Sequence, residues 1–267
     1  MSVTFLDNLT ALILTRNEAP NIERTLSKLA RLRRVVVIDS GSDDGTQELV
    51  ARHRNARVVA RPFDNFAAQC NFGLDQLGRL GDDGEWILSL DADFVLGDDL
   101  IDELARLSPR SDVFGYRTRF RYCVYGQPIR CGIYPPLVTL FRKRGARYVQ
   151  QGHAHKVVVD GRIDDLSGFV LHDDRKPLSR WLDAQKIYAR QEADRLGRSD
   201  RAGLRWQDRL RNGIVVAPPS MFFYVLLARG GIFDGWRGVY YALQRSYAEL
   251  ALSLELLDRR LGGRRDG

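Results

Sequence analysis

The chain has 267 residues, 44% hydrophobic and 28% charged, a globular composition with apolar mass for one large domain or a domain with an appendage. No apolar run reaches the ~18–20 residues of a membrane span, no basic segment precedes an apolar signal core, and Cys70, Cys123 and Cys131 form no C-x-x-C pair, so reduced thiols in a cytosolic setting are expected. The net charge of +7 lies entirely in the last third, since residues 1–173 carry 23 basic and 23 acidic side chains and residues 174–267 carry 18 and 11. Such a region suits an anionic membrane surface. Nucleic acid fits less well, because the arginines alternate with acids and no helix-turn-helix or RNP-like pattern occurs.

In chain order, the apolar run Leu9 to Thr15 predicts a buried strand, and Ile22, Leu26 and Leu29 give Asn21 to Ala30 a helical period behind Pro20. Val35 to Ile38 is a β-branched run suited to a central strand. Turn chemistry follows from Asp39 to Gly45, then a helix to about His53, a short strand at Val58-Val59, a helix from Phe66 to Leu77 and a strand from Trp86 to Leu90. Strands alternating with helices over short connections predict right-handed βαβ units and a mostly parallel sheet. Beyond Asp93 the pattern predicts a helix from Gly97 to Leu107 and strands at Val113–Tyr125, Val138–Phe141, Lys156–Val159 and Phe169–Leu171. An irregular loop through Gly126, Pro128, Gly132, Pro135 and Pro136 interrupts them. Leu178–Leu196 and Val239–Leu261 read as long amphipathic helices, with an apolar stretch, residues 214–227, broken between them by Pro218 and Pro219. The predicted organisation is an α/β domain over residues 1–173, with a nucleotide half at about 9–95 and an acceptor half at about 96–173, then a helical, basic extension over 174–267.

In open α/β sheets, ligands bind beyond the carboxyl ends of the strands. Three such ends carry polar groups here: Thr15-Arg16-Asn17-Glu18, Asp39-Ser40-Gly41-Ser42 and Asp91-Ala92-Asp93. On an extended backbone, Asp91 and Asp93 would converge as two hard oxygen ligands for a divalent cation that itself holds a phosphate. No G-x-G-x-x-G follows the first strand and no G-x-x-x-x-G-K-[ST] occurs, which removes the dinucleotide and P-loop classes. Locally, Asn17 and Glu18 also read as a helix N-cap pair, and N-capping is the favoured reading of Ser42, Asp43 and Asp44.

The segments LILTRNEAPNIERTL, VVVIDSGSDDGT, QCNFGLDQL and WILSLDADF, in this order and spacing, resemble the nucleotide-sugar half of family 2 glycosyltransferases, which have the GT-A fold. HKVVVDGRIDDL, LHDDRKPLSRWL and FFYVLLARGGIFDGWRGVYYAL resemble the bacterial lipopolysaccharide-core glucosyltransferase type of that family, and the likeness covers most of residues 9–255. It implies an inverting hexosyltransferase that takes a UDP-sugar and a lipid-linked or lipopolysaccharide-core glycan, assisted by Mn²⁺ or Mg²⁺. On these positions, Thr15, Asn17 and Glu18 would line the uracil and diphosphate side, and Asp39 would contact the uracil. Gln69 and Asn71 would sit near the nucleotide, with Gln69 a departure that leaves less positive charge near the phosphates. Asp91 would approach the ribose or the metal, and Asp93 the metal.

Inverting transfer also needs a general base for the acceptor hydroxyl. Relatives often carry a His-Glu pair where this chain has His155-Lys156, so the expected carboxylate is absent. His153 and His155 alternate on an extended segment as candidates for the base or a third metal ligand, or as a solvent-facing strand edge. Asp164 and Asp165 are the nearest carboxylates, with Asp165 the candidate, and His172, opening His-Asp-Asp after a strand, reads as lining the site or as a turn residue, with site-lining favoured. The 214–227 stretch, with Phe222, Phe223 and Tyr224 beside Arg229 and Arg237, predicts peripheral contact with the cytoplasmic face of the inner membrane, against a core helix or dimer contact. The competing classes are a sugar-1-phosphate nucleotidyltransferase, which needs a Gly-rich loop after the first strand, and a non-catalytic membrane-surface module. No feature sets an oligomeric state.

Overall fold

The computed structural model describes residues 4–79, 84–151, 154–198, 211 and 214–262. The chain divides into two compact units, Met1–Gly126 with Tyr134–Arg175, and Gln127–Ile133 with Lys176–Gly267.

The first unit is α/β. After a 3₁₀ turn at Phe5–Asn8 come β1 (Leu9–Thr15), α1 (Ile22–Lys28), β2 (Arg34–Asp39), α2 (Thr46–Ala51), β3 (Ala56–Ala60), α3 (Phe66–Arg79) and β4 (Trp86–Asp91). Then follow β5 (Phe94–Leu96), α4 (Asp98–Arg106) and β6 (Val113–Val124). The two-residue strand β7 (Gln127–Pro128) belongs to the second unit. The first unit resumes with β8 (Leu137–Arg142), β9 (Arg147–Gln151), β10 (Ala154–Val158) and β11 (Arg162–His172).

The main sheet runs β3-β2-β1-β4-β8-β6-β11-β5, and β9 and β10 form a separate antiparallel pair. Pairing is parallel from β3 to β4 and again between β6 and β11, whereas β8 and β5 run antiparallel to their neighbours. The sheet is thus mostly parallel, as its strand–helix alternation predicts.

Both faces of β1, β2 and β4 are covered, which is why these strands read as continuous apolar runs. Ala11, Ile13, Val35, Val37, Leu88 and Leu90 join one core with Ile22, Leu26 and Leu100. Leu12, Val36, Ile38 and Ile87 join the other with Ala67, Cys70, Leu74 and Leu77 of α3. Gly73 lets α3 approach closely, since a Cβ there would lie 2.5 Å from Leu12 Cδ1.

Several elements depart from the expectation, which holds no strand at β7 or β9. β5 was not predicted, because three residues after a turn carry no period of their own; it exists by pairing Phe94 with His172 and Leu96 with Val170. β11 begins at Arg162 rather than Phe169, because β6 supplies a partner from Val113 onward that tolerates the polar Asp164 and Asp165.

The second unit holds α5 (Leu178–Arg198), α6 (Ala217–Phe223), a π turn at Tyr224–Ala228, a 3₁₀ turn at Gly231–Asp234 and α7 (Trp236–Gly262). Ala189, Ala193, Leu196, Ile214, Leu252 and Leu256 form its core. The two prolines do not break the 214–227 stretch but open α6, where their missing N–H groups and fixed φ cost nothing. Segment 127–133 is tied in by the N–H groups of Arg130 and Cys131, each 2.9 Å from Asp234 Oδ2, and by Ile133 N–H to the Tyr241 hydroxyl at 3.0 Å. No described helix is long and apolar enough to cross a membrane. Phe223, Tyr224, Leu227, Ile232, Phe233 and Trp236 are nevertheless exposed, Phe233 by 81%. Phe222 is half-buried.

Candidate functional site at the carboxyl edge of the sheet

Register brings the three polar strand ends level, with Thr15 opposite Asp39 and Leu14 opposite Asp91. Asp39 is fully buried. Its Oδ2 accepts from the hydroxyls of Thr15 (2.8 Å) and Ser42 (2.5 Å). Its Oδ1 accepts from the N–H groups of Gly41 (3.1 Å) and Ser42 (2.9 Å) and from Gln47 Nε2 (2.6 Å). Burial alone would raise this carboxyl's pKa, but the bonds from Ser42, Thr15 and Gln47 outweigh it and hold the group below its ordinary value. In this structure Asp39 therefore shapes the loop that follows it.

That loop is laced to the one after β1. Asn17, at φ 56°, donates its N–H to Ser42 Oγ (2.9 Å) and accepts from Asp43 N–H through Oδ1 (3.0 Å). Glu18 N–H reaches Thr46 Oγ1 (2.8 Å), and Ala19 N–H reaches Asp44 Oδ2 (3.0 Å). Asn17, Ser42 and Asp43 thus bridge the two loops, and Asp44 also turns back to accept from Thr46 N–H (3.1 Å).

Gln69 is buried and donates to Ser40 Oγ (2.8 Å) and to the Arg61 carbonyl (3.1 Å), while its Oε1 accepts from the Arg61 guanidinium. The positive charge that Gln69 lacks is therefore present beside it, on Arg61, which also stacks over Phe72 and pairs with Asp64. Only tertiary contact brings this arginine there. Asn71 clamps β9, donating to the Tyr148 carbonyl (3.0 Å) and accepting from Tyr148 N–H (2.8 Å).

Asp91 ends β4, and Asp93 lies in the turn Ala92–Asp93 leading into β5. A turn, not the expected strand alternation, sets the spacing of the pair. The turn is locked by Thr25 Oγ1 donating to the Ala92 carbonyl (2.7 Å) and Asp173 N–H donating to the Asp93 carbonyl (3.0 Å). His172, at the end of β11, places Nε2 3.0 Å from Asp93 Oδ2 within a ring of Phe94, Tyr122 and Tyr134. Burial would lower the imidazole's pKa, but the charge and hydrogen bond of Asp93, then the charges of Asp91 and Asp174, leave it raised above 6.5. Among the described residues its buried Nδ1 has no hydrogen-bond partner.

The neighbouring residues close the frame. Asp173 is buried between Arg24 and Arg175. Fully buried Asn21 donates to Glu18 and Asp174 and accepts from Arg24 and from Arg175 N–H. His-Asp-Asp at 172–174 and Asp-Ala-Asp at 91–93 thus form one interlocked edge with the loop after β1. The sequence singled out His172 as site-lining but gave no sign of Asn21, Arg24, Asp173 or Arg175.

Of the base candidates, Asp165 does not join this cluster. Asp165 pairs with Arg117 (2.8 and 3.0 Å), seven residues before His172 on β11, roughly 20 Å away along an extended strand. His153 lies outside the described residues, as does the His155 side chain; the His155 backbone pairs opposite Gln150.

Asp93 Oδ2 and His172 Nε2, 3.0 Å apart, are hard oxygen and borderline nitrogen donors of the kind a divalent cation takes. Among the described residues no three His, Cys, Asp or Glu side chains are grouped to hold a metal ion.

A mostly parallel sheet with this carboxyl edge, extended by antiparallel β8 and a second parallel pair, is the GT-A architecture of nucleotide-sugar-dependent transferases. Residues 10–155 match the family described as Glycosyl transferase family 2, more than half of the chain. The chain belongs to that family and is a glycosyltransferase. It is 27% identical over 242 residues to the lipopolysaccharide core biosynthesis glycosyltransferase LpsC of Rhizobium meliloti (strain 1021), covering 86% of this chain and 83% of LpsC. It is 31% identical over 126 residues to a glycosyltransferase of Rickettsia bellii (strain RML369-C), covering 47% of this chain and 39% of that protein. Among solved structures, S. aureus TarS 1-349 in complex with UDP-GlcNAc is similar at 16% identity and a TM-score of 0.43, over 95% of this chain and 92% of that one. Glucosyl-3-phosphoglycerate synthase from Mycobacterium tuberculosis is similar at 16% identity and a TM-score of 0.45, over 72% and 81%.

Proposed function

We propose that this glycosyltransferase moves a hexose, with inversion, from a UDP-sugar to a lipid-linked or lipopolysaccharide-core glycan. The observation that carries the reading is the interlocked Asp91-Ala92-Asp93 and His172-Asp173-Asp174 edge, beside the laced loops of Thr15 to Glu18 and Asp39 to Thr46. Thr15, Asn17, Glu18 and Asp39 form the wall for the uridine, with Gln69 and its Arg61 on the diphosphate side. Asn71 acts there by holding β9. Asp91 and Asp93 hold Mn²⁺ or Mg²⁺, and His172 orients Asp93. The cation supplies charge compensation for the departing diphosphate. His153 and His155 are the candidates that take the acceptor proton. Asp165 is the weakest candidate, given its pairing with Arg117.

Catalysis belongs to the first unit, residues 1–126 with 134–175. The second unit, residues 127–133 with 176–267, serves peripheral contact with an anionic bilayer at the cytoplasmic face of the inner membrane. The likeness to LpsC supports the core-glycan acceptor. The exposed Phe223, Tyr224, Phe233 and Trp236 beside Arg229 and Arg237 support the membrane contact. The test is calorimetric titration of UDP with and without Mn²⁺, followed by UDP release from a panel of UDP-sugars. Tighter binding with Mn²⁺ and release with one sugar support the reading, and metal-indifferent or absent UDP binding overturns it.

A further inference from the structure

Arg117, Arg119 and Arg121 alternate on β6 and are all exposed, while Thr118 and Phe120 between them are buried. Side chains at i, i+2 and i+4 share one face of a strand, roughly 7 Å from one to the next. The row therefore covers about 13 Å of one sheet face. One end is Arg117, paired with Asp165. Its other end is Arg121; Tyr122 and His172, paired in register one position on, face the opposite side of the sheet.

This face is also a built surface. Phe169 of β11 pairs with Arg119, and both Arg119 and Arg121 lie over its ring, at 4.5 and 3.8 Å from the centroid. Arg119 also donates to the Ser167 carbonyl. Two cations on one ring are held extended along the strand and lose less entropy on binding than free surface arginines. Among the described residues no carboxylate pairs with Arg119 or Arg121. A cavity of about 590 Å³ opens on the row, lined by Arg117, Arg119, Pro136, Asp165, Leu166 and Ser167. Of the two arginines on it, Arg119 is the one that no described carboxylate offsets, since Arg117 is paired with Asp165.

We infer that the Arg119–Arg121 face of β6, with Phe169 holding the two guanidinium groups, is an acceptor-binding surface that takes an anionic oligosaccharide carrying phosphate or carboxylate groups. Guanidinium forks suit both groups. This deepens the proposed transfer reaction and rests on it for the glycan's role as acceptor, but not for binding. Binding is tested by calorimetry on the full chain with trigalacturonate, an equally long phosphorylated oligosaccharide, and neutral maltotriose. The expected result is saturable binding of at least one anionic probe and none of maltotriose; the stronger probe identifies the group recognised. Arg121→Gln and Arg119→Gln should each weaken it about tenfold or more, as loss of a charge-assisted contact does, and Arg121→Lys should restore part. UDP affinity, measured on the same samples, should stay unchanged and shows that each variant is folded. The inference is overturned if the anionic probes do not bind, if maltotriose binds equally, or if the glutamine variants keep wild-type affinity. Failure of UDP binding with this surface intact would overturn the donor reading alone.

Discussion

Asp39 is the residue whose replacement should be felt most strongly at the candidate site. It is fully buried and takes five donors on two oxygens. In Asp39→Asn one oxygen becomes an NH₂ group. Turned toward Gly41 N–H, Ser42 N–H and Gln47, that group would meet three donors that cannot reverse. Turned toward the Thr15 and Ser42 hydroxyls, it meets groups that can rotate to accept, so the variant should adopt this orientation. Two charge-assisted bonds are then recast and three become neutral. At about 0.5–1 kcal/mol lost for each of the five bonds, the cost is about 2.5–5 kcal/mol. Urea unfolding followed by circular dichroism measures it. The pH dependence gives a second readout. The folded pKa lies below the ordinary 3.8, so the carboxylate's stabilisation is complete above the unfolded value and fades as pH falls through the folded one. The gap between wild type and variant should be constant above about pH 5 and narrow toward pH 3. A gap under about 1 kcal/mol at pH 7, or one that does not change with acid, would refute the assignment of Asp39 as a loop anchor. UDP affinity should fall in the same variant, because the wall it shapes is lost.

Asp93→Asn should abolish the Mn²⁺-dependent part of UDP binding in calorimetry while leaving the unfolding free energy within about 1 kcal/mol of wild type, since Asp93 is only partly buried. Gly73→Ala should destabilise the first unit by about 1–3 kcal/mol in urea, because the new Cβ would press on Leu12 from 2.5 Å. Binding of the full chain to anionic liposomes should weaken as salt rises, and Phe233→Ser with Trp236→Ser should weaken it at every salt concentration without lowering Tm. Phe233 and Trp236 replace Phe222 as the residues to test, because they are exposed and Phe222 is half-buried. A wild-type chain that ignores such liposomes at low salt would end the membrane reading.

What the sequence determined by itself was local. Val35 to Ile38 and Trp86 to Leu90 are strands because β-branched and apolar runs bury on both faces, and the chain turns after Asp39 through Gly45 because its residues favour it. These suffice to place Thr15, Asp39 and Asp91 at one sheet edge, and with the motif order they reach the family. Tertiary structure decided which polar groups meet. His172 reaches Asp93 across 79 residues, Asn21 reaches Asp174 across 153, and Arg61 takes the place that Gln69 leaves uncharged. Residues 127–133 join the second unit through Asp234, more than a hundred positions on. Asp165, close to His172 in sequence, sits at the far end of the same strand. Such partnerships depend on register and on loop closure between distant segments. Local propensity carries no information about either, because a hydrogen bond is chosen by which backbone arrives beside it.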